Sequence, residues 1–89
     1  MNIRYTTQFK KDYKRVKKQH KDLEKLKTVI GLLSNNQTLD PAYHDHPLSG
    51  NWNNHRDCHI EPDWILIYRI TEYELILERT GSHSELFKK

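Results

Sequence analysis

The chain has 89 residues, of which 35% are hydrophobic and 30% are charged. A chain of this length and composition is expected to fold as one domain, residues 1–89, with a thin apolar core, which excludes a second folding unit. Fifteen Lys and Arg residues against twelve Asp and Glu residues give a net charge of +3 at pH 7. This excess of positive charge predicts an anionic partner.

Basic residues are concentrated in the first third of the chain. Between Lys10 and Lys27 there are nine Lys and Arg residues and only three acidic residues. Such a cluster is typical of a surface that contacts phosphates, although a lysine-rich helix is about as often a solvated surface without a ligand. The cluster alone therefore leaves both interpretations open.

Cysteine content and hydropathy bear on the compartment. The single Cys58 excludes an internal disulfide. The N-terminal residues contain no apolar run of signal-peptide length, and no segment approaches the ~18 apolar residues of a membrane span. The sequence therefore predicts a cytoplasmic protein that does not engage a membrane.

Two helices are expected after a short strand at residues 2–5, where apolar and polar residues alternate. Thr6 or Thr7 caps the first helix, residues 8–19, because apolar side chains recur there at spacings of four and three between charged residues. These side chains are Phe9, Tyr13 and Val16. The outer face of this helix is expected to be basic.

The second helix is predicted over residues 22–34, with Asp22 accepting hydrogen bonds from the backbone donors of the first turn. Its apolar residues follow a 3-4-3 spacing that suits packing against a neighbouring helix. They are Leu23, Leu26, Ile30 and Leu33. Because the link around His20 and Lys21 is short, we expect an antiparallel helical hairpin.

The second half of the chain is predicted to form a long loop and an antiparallel sheet. Residues 35–54 contain two prolines, one glycine and no periodicity, and loops of this length are often functional. Three strands follow at 55–60, 64–70 and 75–79, joined by hairpin turns. The middle strand is apolar on both faces, so we expect it to lie centrally, with the helices covering one side and the outer two strands less buried. A helical turn over 82–87 allows Phe87 to pack back onto the sheet, which completes an α+β fold.

Histidines and aspartates accumulate around the first strand of this sheet. Four of the six histidines lie within 16 residues, accompanied by three aspartates: His44, His46, His55 and His59, with Asp45, Asp57 and Asp63. On an extended strand Asp57 and His59 point to the same face, whereas Cys58 points to the other. His46 and Asp63, on flanking loops, can border that face.

His83 can reach the same face from the far end of the sheet. Cleavage of RNA by its own 2'-hydroxyl needs a base for that proton, an acid for the leaving 5'-oxygen and positive charge around the phosphorane. Imidazoles that titrate near neutral pH suit the first two roles, and neighbouring carboxylates can orient them. The pattern therefore admits a ribonuclease as one interpretation, although spacing by itself is more typical of ordinary surface residues.

Several alternatives remain at this point. The histidines and aspartates can be ordinary surface and turn residues. A zinc site is disfavoured, because no pair has CxxC or HxxxH spacing and Cys58 faces away from His59. A basic hairpin with Trp52 stacking on a base can also bind RNA without chemistry, and core packing is the other interpretation of Trp52.

Three segments carry a specific combination of motifs: Asp-His-Pro-Leu-Ser-Gly-Asn-Trp at 45–52, Arg-Asp-Cys-His-Ile-Glu-Pro-Asp-Trp-Ile-Leu-Ile-Tyr at 56–68, and Glu-Arg-Thr-Gly-Ser-His at 78–83. Together with residues 20–22 and the terminal Leu86 and Phe87, they make essentially the whole chain resemble the YafQ-type toxins of the RelE/ParE superfamily. The resemblance implies a RelE-like fold: one strand, an antiparallel helical hairpin, a three-stranded antiparallel meander and a short C-terminal helix.

The resemblance also implies a function. YafQ-type toxins are ribosome-dependent endoribonucleases of type II toxin-antitoxin systems, which cut messenger RNA without a metal or cofactor and so inhibit translation. The implied partners are a cognate antitoxin, the ribosome and mRNA, with promoter DNA bound only through the antitoxin complex. The alternatives are a gyrase-inhibiting, ParE-like protein, which has no need of clustered histidines, and a non-catalytic RNA-binding module.

Carried over position by position, the resemblance assigns six candidate catalytic residues: His46, Asp57, His59, Asp63, His83 and Phe87. His83 and His46 resemble the general acid and base, in either order, and Phe87 resembles a base-stacking residue. The candidate substrate-binding residues are Arg79, Lys10, Lys14 and Lys17, with Trp52 as a stacking candidate and Lys88 and Lys89 as additional phosphate contacts.

Overall fold

A five-stranded sheet organises the computed structural model, which describes residues 1–87; Lys88 and Lys89 lie outside the described residues. The elements in chain order are β1 (Asn2–Tyr5), α1 (Thr7–Lys18), α2 (Leu23–Ser34), β2 (His46–Pro47), β3 (Arg56–Glu61), β4 (Trp64–Ile70), β5 (Glu74–Gly81) and α3 (His83–Leu86). The strand order is β1-β5-β4-β3-β2, and only the β1–β5 pair is parallel. The predicted meander and α+β class are confirmed.

Side-chain caps fix where the two long helices begin. The Thr6 side chain accepts a hydrogen bond from the amide of Phe9 at 3.0 Å, so α1 begins at Thr7. Asp22 accepts from the amide of Glu24 at 3.1 Å in the same way. Each cap satisfies a backbone donor that has no partner inside its helix. The predicted bounds of both helices are therefore correct to within one residue.

The main core lies between the two helices and one face of the sheet. It combines Phe9, Val16, Leu26, Val29 and Leu33 from the helices with Cys58, Trp64, Leu66, Tyr68, Leu75 and Leu77 from the strands. One correction concerns the apolar stripe of α2: Val29, which was not in the predicted stripe, is fully buried, whereas Ile30 is only partly buried. The stripe was predicted for packing against α1 alone, but the helix also faces the sheet.

Two further predictions were wrong in detail. The loop at 35–54 is not structureless, because Pro41–Tyr43 and Gly50–Trp52 form 3-10 turns and β2 pairs with β3. The last strand is not a weakly buried outer strand, since β1 covers its edge and Leu75 and Leu77 are fully buried. The central position of β4 is confirmed.

Beyond the end of β1, a side chain of helix α1 accepts a backbone hydrogen bond from the edge of β5. Asp12 is fully buried and accepts from the amide of Thr80 at 3.1 Å. It also receives two hydrogen bonds from Arg79, at 2.7 and 3.1 Å, and one from Arg15 at 2.9 Å. Burial alone would raise the pKa of Asp12, but the bonds from Arg79 and Thr80 outweigh that effect and the pKa lies below its usual value. Asp12 is therefore a structural anion.

Candidate active site

The face of the sheet opposite the helices carries the clustered histidines. Asp57 pairs with Ile67 and His59 with Ile65, so these two polar side chains share one face, as predicted. Cys58 is fully buried on the helix side, where burial raises the pKa of its thiol above the usual value. Because successive side chains of β3 point to opposite faces, the buried thiol is separated from the two titratable groups.

A small apolar cluster supports this open face. It consists of Ile65, Ile67 and Leu86, with Leu48, Trp52 and Phe87 packed against it. Phe87 therefore returns onto the sheet as predicted, and its ring centroid lies 6.3 Å from that of His83. Trp52 contacts His55 edge-on at 5.3 Å between centroids. Both aromatic rings thus border the open face, and Phe87 also lies beside the imidazoles around His59.

His59 lies at the centre of the imidazoles. Its ring centroid is 5.3 Å from that of His83, 5.5 Å from that of His44 and 6.4 Å from that of His46. Burial lowers the pKa of His59, the neighbouring imidazoles act in the same direction, and the Asp57 carboxylate only partly offsets them. His59 is therefore mainly neutral near pH 7.

His46 and Asp57 form one imidazole–carboxyl pair. Strand β2 places His46 directly opposite Asp57, so the prediction of a loop position for His46 was wrong although its proximity was right. Its Nδ1 lies 2.7 Å from the carbonyl oxygen of His44 and its Nε2 lies 3.1 Å from Asp57 Oδ1. Because a carbonyl only accepts, Nδ1 carries a proton, and Nε2 bonds to Asp57 when the two share a further proton.

The carboxyl of Asp57 differs from an exposed aspartate in its environment. Asp57 is 3% exposed. Its Oδ1 lies close to His46 Nε2 but accepts no hydrogen bond of regular geometry from the described residues. Burial raises the pKa of Asp57, although His46 and His59 act against this shift when they are protonated. The carboxyl is consequently suited to exchanging a proton with its imidazole partner.

His83 and Asp63 form a second pair at the other side of His59. Asp63 Oδ1 accepts from the backbone amide of His83 at 3.0 Å and lies 2.7 Å from its Nδ1. These two hydrogen bonds lower the pKa of the exposed Asp63 carboxyl. Since Asp63 occupies Nδ1, Nε2 is the nitrogen that His83 can present to a substrate.

The turn that carries His83 has a capping box. The Ser82 side chain accepts from the Glu85 amide at 3.2 Å, and Glu85 Oε1 accepts from the Ser82 amide at 2.8 Å. This reciprocal bonding fixes the start of α3. It sets the direction in which the His83 side chain leaves the backbone.

His44 was counted in the cluster but not assigned to the site, and the structure brings it next to His59. It follows the 3-10 turn Pro41–Tyr43 with a left-handed φ of 49°. Asp45 then binds Arg56 at 3.1 Å and the Tyr68 hydroxyl at 2.7 Å, which holds this segment against the sheet. The resulting cleft of about 600 Å³ is lined by Ala42, Tyr43, His44, His46, His59, Ile60, Glu61 and Pro62.

Trp52 borders the open face, and the other predicted substrate-binding residues are on α1 and at the end of β5. Lys10, Lys14 and Lys17 are exposed on α1, in agreement with the expected basic outer face. The Arg79 side chain is 21% exposed and donates to Asp12 from Nε and Nη2, which leaves both N–H groups of Nη1 outside this pair. The six candidate catalytic residues, in contrast, gather on the open face.

A metal-binding cluster and a membrane-spanning helix are both absent from residues 1–87. No group of three or more His, Cys, Asp or Glu side chains in this range is arranged to hold a metal ion. Within the same residues, no helix has the length and apolar character that crossing a membrane requires.

A helical hairpin on one face of the meander and paired imidazoles and carboxyls on the other define a RelE-like toxin. Residues 1–88 match the family described as bacterial toxin of type II toxin-antitoxin system, YafQ. The chain belongs to this family.

Individual relatives agree with this assignment. The chain is 53% identical over 87 residues to the mRNA interferase toxin YafQ of Escherichia coli strain K12, covering 97% of this chain and 95% of that protein. It is similar to the toxin in the crystal structure of the E. coli DinJ-YafQ complex, with a TM-score of 0.91, 52% identity and 97% coverage of both chains. It is also similar to a metal-bound toxin from Helicobacter pylori, with a TM-score of 0.92, 45% identity and coverage of 98% and 99%.

Proposed function

We propose that this YafQ-family toxin is an mRNA interferase that cuts messenger RNA on the ribosome by metal-independent acid–base catalysis. The observation that carries the proposal is the pair of imidazole–carboxyl contacts, His46 with Asp57 and His83 with Asp63, on either side of His59. A phosphate bound over His59 would lie between the two pairs, with Nε2 of His83 facing one of the two reacting oxygens and Nε2 of His46 reaching the other once it turns from Asp57 Oδ1.

The proposed reaction is an in-line transesterification. One imidazole removes the 2'-hydroxyl proton while the 2'-oxygen forms a bond to phosphorus. The bond from phosphorus to the 5'-oxygen breaks, and the other imidazole protonates that oxygen. The products are a 2',3'-cyclic phosphate and a 5'-hydroxyl, so atoms and protons balance without a metal. Each imidazole ends the step in the protonation state that the other began with.

Neighbouring side chains would support this step. Neutral His59 can donate a hydrogen bond to a phosphoryl oxygen between the two imidazoles. Phe87, and on the other border of the face Trp52, are suited to stacking on bases that flank the cut. The remaining Nη1 of Arg79 would add a phosphate contact without breaking the pair with Asp12.

Ribosome dependence is part of the proposal. Lys10, Lys14 and Lys17 lie on the exposed surface of α1, on the helix side of the sheet, whereas the imidazoles occupy the opposite face. The toxin would thus bind ribosomal RNA phosphates with α1 while the open face receives the messenger. A docked ribosome would also align the 2'-hydroxyl for attack, which a small open cleft does poorly by itself.

A cognate antitoxin is the proposed protein partner. The E. coli relative has been crystallised as the DinJ-YafQ complex, and this chain covers 97% of that toxin. By analogy, a cognate antitoxin would hold this toxin inactive in the bacterial cytoplasm. The complex of the two proteins would repress its own promoter, with the antitoxin contacting the DNA.

The primary test is primer extension on a messenger in a reconstituted translation system. Wild-type toxin, treated with a chelator and desalted beforehand, should produce discrete cuts in the reading frame, and His83→Ala should produce none. His20→Asn is the matched control, since His20 lies in the turn between the helices with φ of 60°, which Asn tolerates. Equal cutting by His83→Ala would contradict the assigned role.

Two further arms separate the remaining claims. The metal-bound H. pylori relative makes metal independence worth testing directly, so activity that disappears on chelation and returns with a divalent ion would contradict it. A substrate with sulfur in place of the scissile 5'-oxygen needs no general acid, because a thiolate leaves unprotonated. Of His46→Ala and His83→Ala, the variant rescued by this substrate has lost the acid.

A further inference from the structure

The helix that carries His83 is too short to be stable by itself. Helix α3 has four residues, and an isolated helix of that length does not form in water. Its capping box acts within the turn and does not attach the turn to the rest of the protein. The orientation of His83 must therefore depend on contacts between this turn and other elements.

Arg15 of α1 provides contacts of this kind. Its Nη2 donates to the carbonyl oxygen of Thr80 at 2.7 Å, and its Nη1 donates to buried Asp12 at 2.9 Å. Its Nε lies 3.1 Å from Glu85 Oε2 as an ion pair without directed hydrogen-bond geometry. The guanidinium thus joins α1 to Thr80, three residues before His83, and to Glu85, two residues after it.

Gly81 provides independent evidence that the guanidinium lies directly against the turn. A Cβ atom built at this glycine would be 2.4 Å from Arg15 Nη2 and 3.0 Å from Glu85 Oε1. A side chain at this position would therefore displace Arg15 from the backbone of the turn. The absence of a side chain permits the close approach.

A third contact comes from the following turn of α1. Gln19 Nε2 donates to Glu85 Oε2 at 3.2 Å, so the same carboxylate faces two residues of this helix. The pKa of Glu85 lies below its usual value, because the Ser82 amide and then Gln19 and Arg15 stabilise the anion. Glu85 thereby combines capping of α3 with attachment of α3 to α1.

We propose that Arg15 is a positioning residue for His83 rather than a phosphate-binding member of the basic cluster. All three of its nitrogens face partners within the protein, in contrast to Lys14 and Lys17, which are exposed beside it. By holding the turn from Thr80 to Glu85, it keeps His83 against Asp63 and near His59. This inference rests on the proposed role of His83 in catalysis.

The test compares Arg15→Lys with Arg4→Lys, which makes the same chemical change on exposed β1. Both variants preserve net charge, so electrostatic attraction to the ribosome is matched. The first measurement is the imidazole nitrogen NMR signal of His83 in free toxin. The second is the cleavage rate at saturating ribosome, together with the ribosome concentration that gives half that rate.

The proposal predicts that Arg15→Lys moves the His83 signals and lowers the saturated rate by roughly ten- to a hundredfold at an unchanged half-saturating concentration. Arg4→Lys should match wild type in all three readouts. A raised half-saturating concentration with unchanged rate and unchanged His83 signals would overturn the proposal and make Arg15 a docking residue. Loss of cutting by wild type would instead count against the proposed function, since the NMR comparison does not require activity.

Glu85→Gln keeps the proposal testable if Arg15→Lys fails to fold. The amide oxygen can still accept from the Ser82 backbone, so the capping box survives, but the negative charge opposite Arg15 is removed. We expect the same direction of change in the His83 signals and in the saturated rate, with a smaller amplitude. A variant indistinguishable from wild type in both readouts would overturn the proposal.

Discussion

The two faces of the sheet divide structural and chemical roles between alternate residues of the same strands. On the helix face, Cys58, Trp64 and Leu66 are completely buried beneath α1 and α2. On the open face, Asp57 and His59 stand beside a smaller apolar cluster that only loop and C-terminal side chains cover. Groups that must titrate and meet a substrate are thus excluded from the side that supplies most of the buried apolar area.

Two buried carboxyls, those of Asp12 and Asp57, show a similar contrast in their pKa. Asp12 receives hydrogen bonds from two arginines and one amide, and its pKa is lowered. Asp57 faces imidazoles instead, and burial raises its pKa. Burial is therefore not what distinguishes them. The number of permanently charged donors decides whether the pKa of a buried aspartate is lowered or raised.

The largest expected effect is on catalysis at the open face. His83→Ala should lower the cleavage rate on ribosomes by roughly a hundred- to ten-thousandfold, the usual contribution of a general acid or base. Because His83 is exposed, the free energy of unfolding should change by less than about 0.5 kcal/mol. Single-turnover cleavage and urea denaturation of the same preparation measure both. A large loss of stability would show that the two faces are not separable in this way.

The next effect is on stability at the helix face. Asp12→Asn leaves Arg79 and Arg15 without their anionic partner and should lower the free energy of unfolding by about 3–5 kcal/mol. The stability advantage of wild type over this variant should also be lost as pH falls from the ordinary pKa of an aspartate through the lowered pKa of Asp12. The reason is that the unfolded state binds the proton at a higher pH than the native state does. Denaturant titrations between pH 2 and pH 7, about the range over which carboxyls titrate, measure this. An Asp12→Asn variant as stable as wild type would contradict the structural role of Asp12.

Asp57→Asn should act in the opposite sense on stability. A raised pKa means that the folded state disfavours the carboxylate, so the contribution of Asp57 is lost as pH rises through its raised pKa. The variant should therefore be as stable as wild type at pH 7 or more stable, by about 1 kcal/mol, while it loses most of its cleavage activity. Parallel unfolding and cleavage assays test this pair of outcomes. Destabilisation at pH 7 with normal cleavage would make Asp57 another structural anion.

Sequence patterns predicted the open face well where the contacts are local. A period of two along β3 places Asp57 with His59, and the caps at Thr6 and Asp22 locate both helices. The position of His44 could not be predicted in this way, because it depends on a 3-10 turn that ends in a left-handed residue. Such a turn has no periodicity to reveal it.

Long-range contacts account for most of what the sequence patterns missed. The pairing of Asp12 with Arg79 spans 67 residues and joins a helix to a strand edge, so its acidic member was indistinguishable from other charges in a basic segment. Val29 was missed for a related reason, since its burial depends on how α2 lies against the sheet as well as against α1. Local spacing specifies elements and faces, whereas these partners follow from how the elements assemble.

The smallest expected effect concerns the outer surface of α1. Lys14→Gln should leave folding and the saturated cleavage rate unchanged, weaken ribosome binding slightly, and reduce the slope of log affinity against log salt by roughly 0.7–0.9 per lost phosphate contact. Lys25→Gln, on α2 and engaged with Glu61 at 3.0 Å, is the matched control and should leave that slope unchanged. Binding measured between about 50 and 200 mM salt distinguishes the two. Equal slopes in wild type and both variants would mean that α1 is a solvated surface, and the docking role would then have to move to the edge of the open face.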